Sequence, residues 1–146
     1  MNSTDRKTSQ HQRTRSDHAT ETAEDYTEAV FDFIESQEEC RLRDLAKHFG
    51  VTHVTANKIV ARLAKEGLLS IQPYRPIDLT PTGRKLAIQC KKRHETVYRF
   101  LRCLGIDELT SRIDSEGIEH HVSPKTLKAF ESFVAKVSLA KNIEPS

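Results

Sequence analysis

Apolar residues along this chain change their spacing several times, and each change marks an element. Between residues 22 and 38, Tyr26, Ala29, Val30 and Phe33 recur at helical intervals and predict a helix with one buried face. Asp25, Glu28 and Asp32 form a neighbouring acidic stripe, the usual purpose of which is to stabilise a helix N-terminus. Residues 41–66, RLRDLAKHFGVTHVTANKIVARLAKE, carry two helical stripes separated at Gly50-Val51. Leu42, Leu45 and Ala46 give the first its inner face. Ala56, Ile59 and Leu63 do so for the second, with Thr52 as its N-cap. The second helix keeps a polar outer face of His53, Thr55, Asn57, Lys58 and Arg62.

Over GLLSIQPYRPIDLT (67–80) the helical spacing stops. Leu69, Ile71, Ile77 and Leu79 flank a proline-marked tip at Tyr74-Arg75, which predicts two short strands. Thr80-Pro81 opens the next helix as N-cap and first residue. This helix runs through Leu104 on an apolar seam of Cys90, Val97, Leu101 and Leu104, with His94 in the same register. A short helix is expected over 107–113, followed by SEGIEHHV (115–122). Ser123-Pro124 starts a last helix with the stripe Leu127, Phe130, Val134 and Val137.

The resulting fold class is mainly α with a small β-hairpin wing: a winged helix-turn-helix domain plus a helical domain. The expected division is a disordered polar tail over 1–20, the winged domain over 21–82, the helical domain over 83–141 and a short tail over 142–146.

Composition narrows the function. No run is long and apolar enough to span a membrane, and the N-terminus has no apolar core of a signal peptide, so a cytoplasmic protein is expected. Cys40, Cys90 and Cys103 are an odd set without close pairing, and read as reduced thiols. The net charge of +2 hides an uneven distribution. Residues 21–40 hold eight acids and no Lys or Arg, whereas residues 41–85 hold nine Lys or Arg against three acids. The basic block, on a helix-turn-helix followed by a hairpin, is the electrostatic footprint of a nucleic-acid reader. The outer face of the second helix can enter a major groove, with short polar side chains at base edges and Lys58 and Arg62 at phosphate or guanine. Arg43, Thr52, His53, Thr55, Asn57, Lys58, Arg62, Tyr74 and Arg75 are the candidate DNA contacts.

A second set of residues carries different chemistry. On a helix Glu116, Glu119 and His120 stand at i, i+3 and i+4 and share a face, while His121 points away. Asp25 and Glu28 are i, i+3 on the first helix, and His94 interrupts an apolar seam. Singly, each has a structural explanation: paired acids on a helix are usually solvated, and a lone histidine in a seam is usually a satisfied core residue. Together they make four carboxylates and two imidazoles without a thiolate, a set suited to Mn(II) or Fe(II). Six side chains exceed what one such ion usually takes from protein, so two ions with bridging carboxylates are expected per subunit.

The segments EDYTEAVFDFI (24–34), YRPIDLTPTGRKLA (74–87), RHETVYRFLRCLGI (93–106) and EGIEHHVS (116–123) resemble the manganese branch of the diphtheria-toxin-repressor family. The resemblance spans about residues 22–139 and implies a homodimer on a palindromic double-stranded operator, with no membrane partner and no small organic substrate. It assigns the family's metal positions to Asp25, Glu28, His94, Glu116, Glu119 and His120. The iron branch carries Met at the position of Asp25 and Cys at that of Glu116. The hard carboxylates here therefore point to manganese and to a regulator, most simply a repressor, of metal-uptake genes. The chain ends too early for the SH3-like third domain of longer iron-type relatives. It departs from the family at Pro76, where relatives carry Gly, and in its polar N-terminal tail.

The competing readings are narrower. A di-metal carboxylate enzyme would need a Glu-x-x-His pair twice, yet Gly117 stands three before His120 and no second pair exists. A winged-helix regulator sensing an organic ligand or an oxidant through the three cysteines remains an alternative, as does the same fold answering to Fe(II) or Zn(II).

Overall fold

The computed structural model describes the backbone of residues 3–143 and the side chains of residues 17–140. In chain order the elements are α1 (Ser3–Gln37), α2 (Leu42–Phe49), α3 (His53–Lys65), β1 (Leu69–Ser70), β2 (Asp78–Leu79), α4 (Pro81–Cys103), α5 (Glu108–Ile118), a 3-10 turn (Glu119–His121) and α6 (Pro124–Ile143). The chain divides into two compact units, residues 1–88 and 89–146, with α4 running from one into the other.

The first unit is built on α1, α2, α3 and the hairpin. Leu45 and Leu63 are wholly buried, beside Val30, Cys40, Val60, Leu69 and Ile77. Removing a leucine-sized side chain from water contributes about 2–3 kcal/mol, so these few residues hold the unit together. Tyr26 of α1 stacks flat on Phe49 at the end of α2, with ring centroids 4.2 Å apart. The turn between α2 and α3 depends on Gly50, whose φ of 63° ends α2 while its N–H reaches the carbonyls of Ala46 and Lys47. Thr52 then caps α3, its hydroxyl accepting the Thr55 N–H at 3.1 Å. The wing pairs Leu69 with Leu79 and Ser70 with Asp78 in antiparallel register. The Ile77 N–H also donates to the Cys40 carbonyl at 2.8 Å, which ties the wing to the α1–α2 connection.

The wing returns to α4 through Thr80. Its hydroxyl donates to the Gly67 carbonyl at 2.6 Å and accepts the Gly83 N–H at 3.0 Å, so one side chain anchors the hairpin and caps the helix. Gly83 is buried against Leu68, and a Cβ there would fall 2.0 Å from the Leu68 carbonyl oxygen.

In the second unit Cys90, Val97 and Leu101 of α4 are buried, as are Ser111 and Ser115 of α5. Phe100 stacks on Phe130 of α6 with centroids 3.9 Å apart, and Phe133 meets it edge-on. Asp107 caps α5 by accepting the Thr110 N–H at 2.9 Å, a bond that holds its carboxyl below the ordinary aspartate range.

Four expectations need correction. Residues 3–20, expected without regular structure, continue the backbone of α1. Nothing between Ser3 and Thr20 is Gly or Pro, so a helix nucleated on the packed turns can propagate through a polar segment. Of the expected C-terminal tail, 142–143 belong to α6 and 144–146 lie outside the described residues. Leu104 does not join the α4 seam: it is 54% exposed, because the chain turns away at Gly105 with φ 88°. The helix expected over 107–113 reaches Ile118 and absorbs the start of SEGIEHHV.

Candidate metal centre and DNA-reading surface

In the second unit the metal candidates gather on one carboxylate. Glu119 lies just past the last turn of α5 and only 2% of it is exposed. His94 of α4 brings Nδ1 to 3.5 Å from Glu119 Oε1, and His120 brings Nε2 to 3.9 Å from the same oxygen. The guanidinium of Arg93 stands 4.0 Å from the other oxygen, Oε2, which has no hydrogen-bond partner. Glu116 is exposed on α5, and His121 is exposed and turned outward, as the helical spacing implied for His121. In the first unit Asp25 and Glu28 are half-buried on α1, beside the core residues Tyr26, Thr27 and Ala29.

Ser115 lies beside the ring of His94: its hydroxyl donates to the Arg112 carbonyl at 3.0 Å and stands 3.5 Å from His94 Nε2. Glu119 is a buried carboxylate whose Oε2 has no hydrogen-bond partner, a group that calls for compensating charge. Two imidazoles and a carboxylate with no thiolate among them therefore fit a divalent metal ion of the manganese, iron or zinc type. Sequence reasoning missed Ser115 beside His94 and Arg93 beside Glu119, contacts between separate elements that local spacing does not show.

The DNA candidates are all in the first unit and all solvent-exposed: Arg43 on α2; Thr52, His53, Thr55, Asn57, Lys58 and Arg62 at and along α3; Tyr74 and Arg75 at the wing tip. The Thr52 hydroxyl is occupied in capping α3. Arg62 is 3.6 Å from Glu66 in an i, i+4 surface pair, a contact worth little that it can exchange for phosphate. Val54, 66% exposed in the first turn of α3, was not foreseen. It lies off the buried stripe of its helix.

Comparison with known proteins places both parts of the chain in one family. Residues 18–77 match the family model described as the N-terminal DNA binding domain of the iron dependent repressors, and residues 80–144 match their metal binding and dimerisation domain. The transcriptional regulator MntR of Escherichia coli O6:H1 is 42% identical over 122 residues, covering 84% of this chain and 79% of that protein. The HTH-type transcriptional regulator MntR of Lysinibacillus sphaericus is 38% identical over 104 residues, covering 71% of this chain and 75% of its own. A solved manganese-dependent transcriptional repressor in complex with manganese superposes with a TM-score of 0.71 at 28% identity over 77% of this chain. This chain spans about half the length of that repressor, 52%. The chain belongs to the iron-dependent repressor family, a class of metal-responsive DNA-binding transcriptional regulators and not of enzymes. Within it, the relatives just described are regulators of the MntR type.

Proposed function

We propose that this chain is a Mn(II)-activated repressor of metal-uptake genes, acting in the cytoplasm as a homodimer on a palindromic operator. The observation that carries the metal-responsive reading is Glu119, a buried carboxylate between two imidazoles with one oxygen unsatisfied. The choice of manganese rests on the absence of any thiolate from the candidate ligands and on the hard carboxylates at positions 25 and 116. The ligand set proposed is Asp25, Glu28, His94, Glu116, Glu119 and His120, enough for two ions per subunit. The homodimer has support in α5, where Leu109 and Ile113 stand i, i+4 on its outer face at 68% and 61% exposure. The same stripe of a second copy would cover both in a two-fold contact.

Bound metal supplies positive charge that the carboxylates share. Without it the carboxylates of the proposed set lose the cation that offsets their charge. With the charges satisfied, Asp25 and Glu28 hold α1 and thereby the recognition helices α3. A two-fold dimer must set these helices about 34 Å apart, or a multiple of that, to use successive half-sites. Fixing that spacing beforehand removes a conformational cost from DNA binding. Coupling of this kind is reciprocal, so operator DNA tightens metal binding by the same factor.

The test is a Mn(II) titration followed by the electron paramagnetic resonance of the free ion, on the wild-type chain and on Glu119→Gln. Two sites per subunit, with at least one lost in the variant, is the expected outcome. A variant that binds like wild type would refute the ligand assignment. The donor set of two imidazoles and a carboxylate also suits Zn(II) or Fe(II), so competition by each belongs in the same experiment.

A further inference from the structure

Among the described residues, two other than glycine have left-handed backbones, Glu38 at φ 71° and Tyr74 at φ 62°. Glu38 follows the last turn of α1, and its N–H returns to the Ile34 carbonyl at 3.0 Å, an ordinary helix ending. Tyr74 has no such role. It is the third residue of the tight turn Gln72–Arg75, closed by the Arg75 N–H on the Gln72 carbonyl at 3.2 Å. Pro73 suits the second position of a turn of this kind, but positive φ at the third calls for Gly or Asn. Tyrosine stands there instead, and the residue is fully exposed. Folding gives this aromatic no burial to offset its backbone strain, so the fold alone does not account for it.

Its surroundings say what it faces. Arg75 beside it is exposed, and Ile71 on the same hairpin is 47% exposed. An open groove of about 510 Å³ between α3 and the wing is lined by Asn57, Ile71, Gln72, Tyr74 and Arg75 among others. The groove joins the outer face of α3 to the wing tip.

We propose that Tyr74 is a strained aromatic wedge for operator DNA. While α3 lies in the major groove, the wing presents the ring to the adjacent minor groove, against sugar and base edges at a deformable step outside the half-site. Apolar wedges of this sort act by partly unstacking a step, and pyrimidine–purine steps unstack most readily. Arg75 meets the neighbouring phosphates. Tyr74 thereby reads flanking sequence that α3 does not touch. This deepens the DNA-binding reading and rests on it.

The test uses the full chain with Mn(II) and fluorescence anisotropy on two selected operator duplexes. One has a TA step under the wing, the other a stiff A-tract. Wild type should prefer the TA duplex. Tyr74→Gly should lose about tenfold in affinity on that duplex, the size of one aromatic–base contact, and should lose the preference. Tyr74→Phe should stay within about twofold of wild type, because the ring and not the hydroxyl makes the contact. In chelator, the unfolding midpoint of Tyr74→Gly should hold or rise by about 2–4 °C, since glycine relieves the strained turn. Wild-type affinity in Tyr74→Gly would overturn the proposal. An equal loss in Tyr74→Phe would make the contact a phosphate hydrogen bond, and a lowered midpoint in Tyr74→Gly would make the tyrosine structural; either result overturns the wedge. Arg62→Ala should weaken both duplexes alike. Failure of the wild-type chain to bind any duplex would instead remove the DNA-binding reading itself.

Discussion

Gly83→Ala offers a test in which two physical effects oppose each other. Gly83 lies in the first turn of α4, and alanine in a helix is favoured over glycine by about 1 kcal/mol. Propensity alone would therefore make the variant more stable. The structure says otherwise. The new Cβ would sit 2.0 Å from the Leu68 carbonyl oxygen and 2.9 Å from its carbon, both backbone atoms that no rotamer change can move. The Leu68 carbonyl is also held in place, accepting the Thr80 N–H at 3.1 Å and the Thr80 hydroxyl at 3.2 Å. To admit the methyl, the start of α4 must shift away from the hairpin and weaken those bonds. Overpacking of this kind costs typically about 1–3 kcal/mol, and each lost hydrogen bond about 1 kcal/mol more. After subtracting the helix-propensity gain, the net loss is about 2–3 kcal/mol. Thermal unfolding in chelator should fall by roughly 5–10 °C, with Lys85→Ala on the exposed face of the same turn as the control. A midpoint equal to or above wild type would refute the reasoning and mean that α4 does not pack on Leu68 as described.

Other outcomes follow from the same geometry. Glu119→Gln should abolish most of the rise in unfolding midpoint that saturating Mn(II) gives wild type, a stabilisation of about 2.7 kcal/mol at a hundred times the dissociation constant; an undiminished rise would remove Glu119 from the site. Glu116→Cys should move activation of DNA binding toward Zn(II) or Fe(II), and an unchanged metal profile would deny position 116 a part in selectivity. The Cys40 thiol is pushed up to about 12, first by burial and then by the negative charge of Asp44. Its neutral form is therefore favoured by folding, a contribution fully present below the unfolded thiol pKa near 9 and lost as pH rises from there toward 12. Native protein at pH 8 should accordingly label at Cys103 before Cys40, and prompt labelling of Cys40 would reopen the oxidant-sensing alternative.

What the sequence made legible, and what it did not, divides along physical lines. Helices with a contiguous apolar face were visible because their stripes are local: α2, α3 and α4 follow Leu45, Leu63 and Val97 at helical spacing. The helix-turn-helix and its hairpin were visible for the same reason, with Gly50 and Pro81 as punctuation. The N-terminal reach of α1 was hidden because residues 3–20 have no apolar face to announce a helix. The end of the α4 seam was hidden because Leu104 fits its period, and only the left-handed Gly105 takes it out of the core. At the site, Glu119 is buried while Glu116, one turn earlier, is exposed, a difference in burial that spacing does not show. Nor could spacing show that Ser115 lies against the ring of His94, a contact between residues 21 positions apart. At the wing, Pro76 drew notice as the departure from the family pattern, whereas the residue that takes the left-handed backbone is Tyr74.

In the proposed function, occupancy of the centre around Glu119 governs DNA binding. The most direct measurement is selection of duplex DNA from a random pool by the purified chain, in chelator and with Mn(II), Zn(II), or Fe(II) under argon. Enrichment of a two-fold-symmetric sequence with Mn(II), absent in chelator and absent for Glu119→Gln with Mn(II), is the expected result. Equal enrichment of the same sequence in chelator would contradict the claim, leaving a DNA reader whose buried carboxylate and histidines serve only the fold.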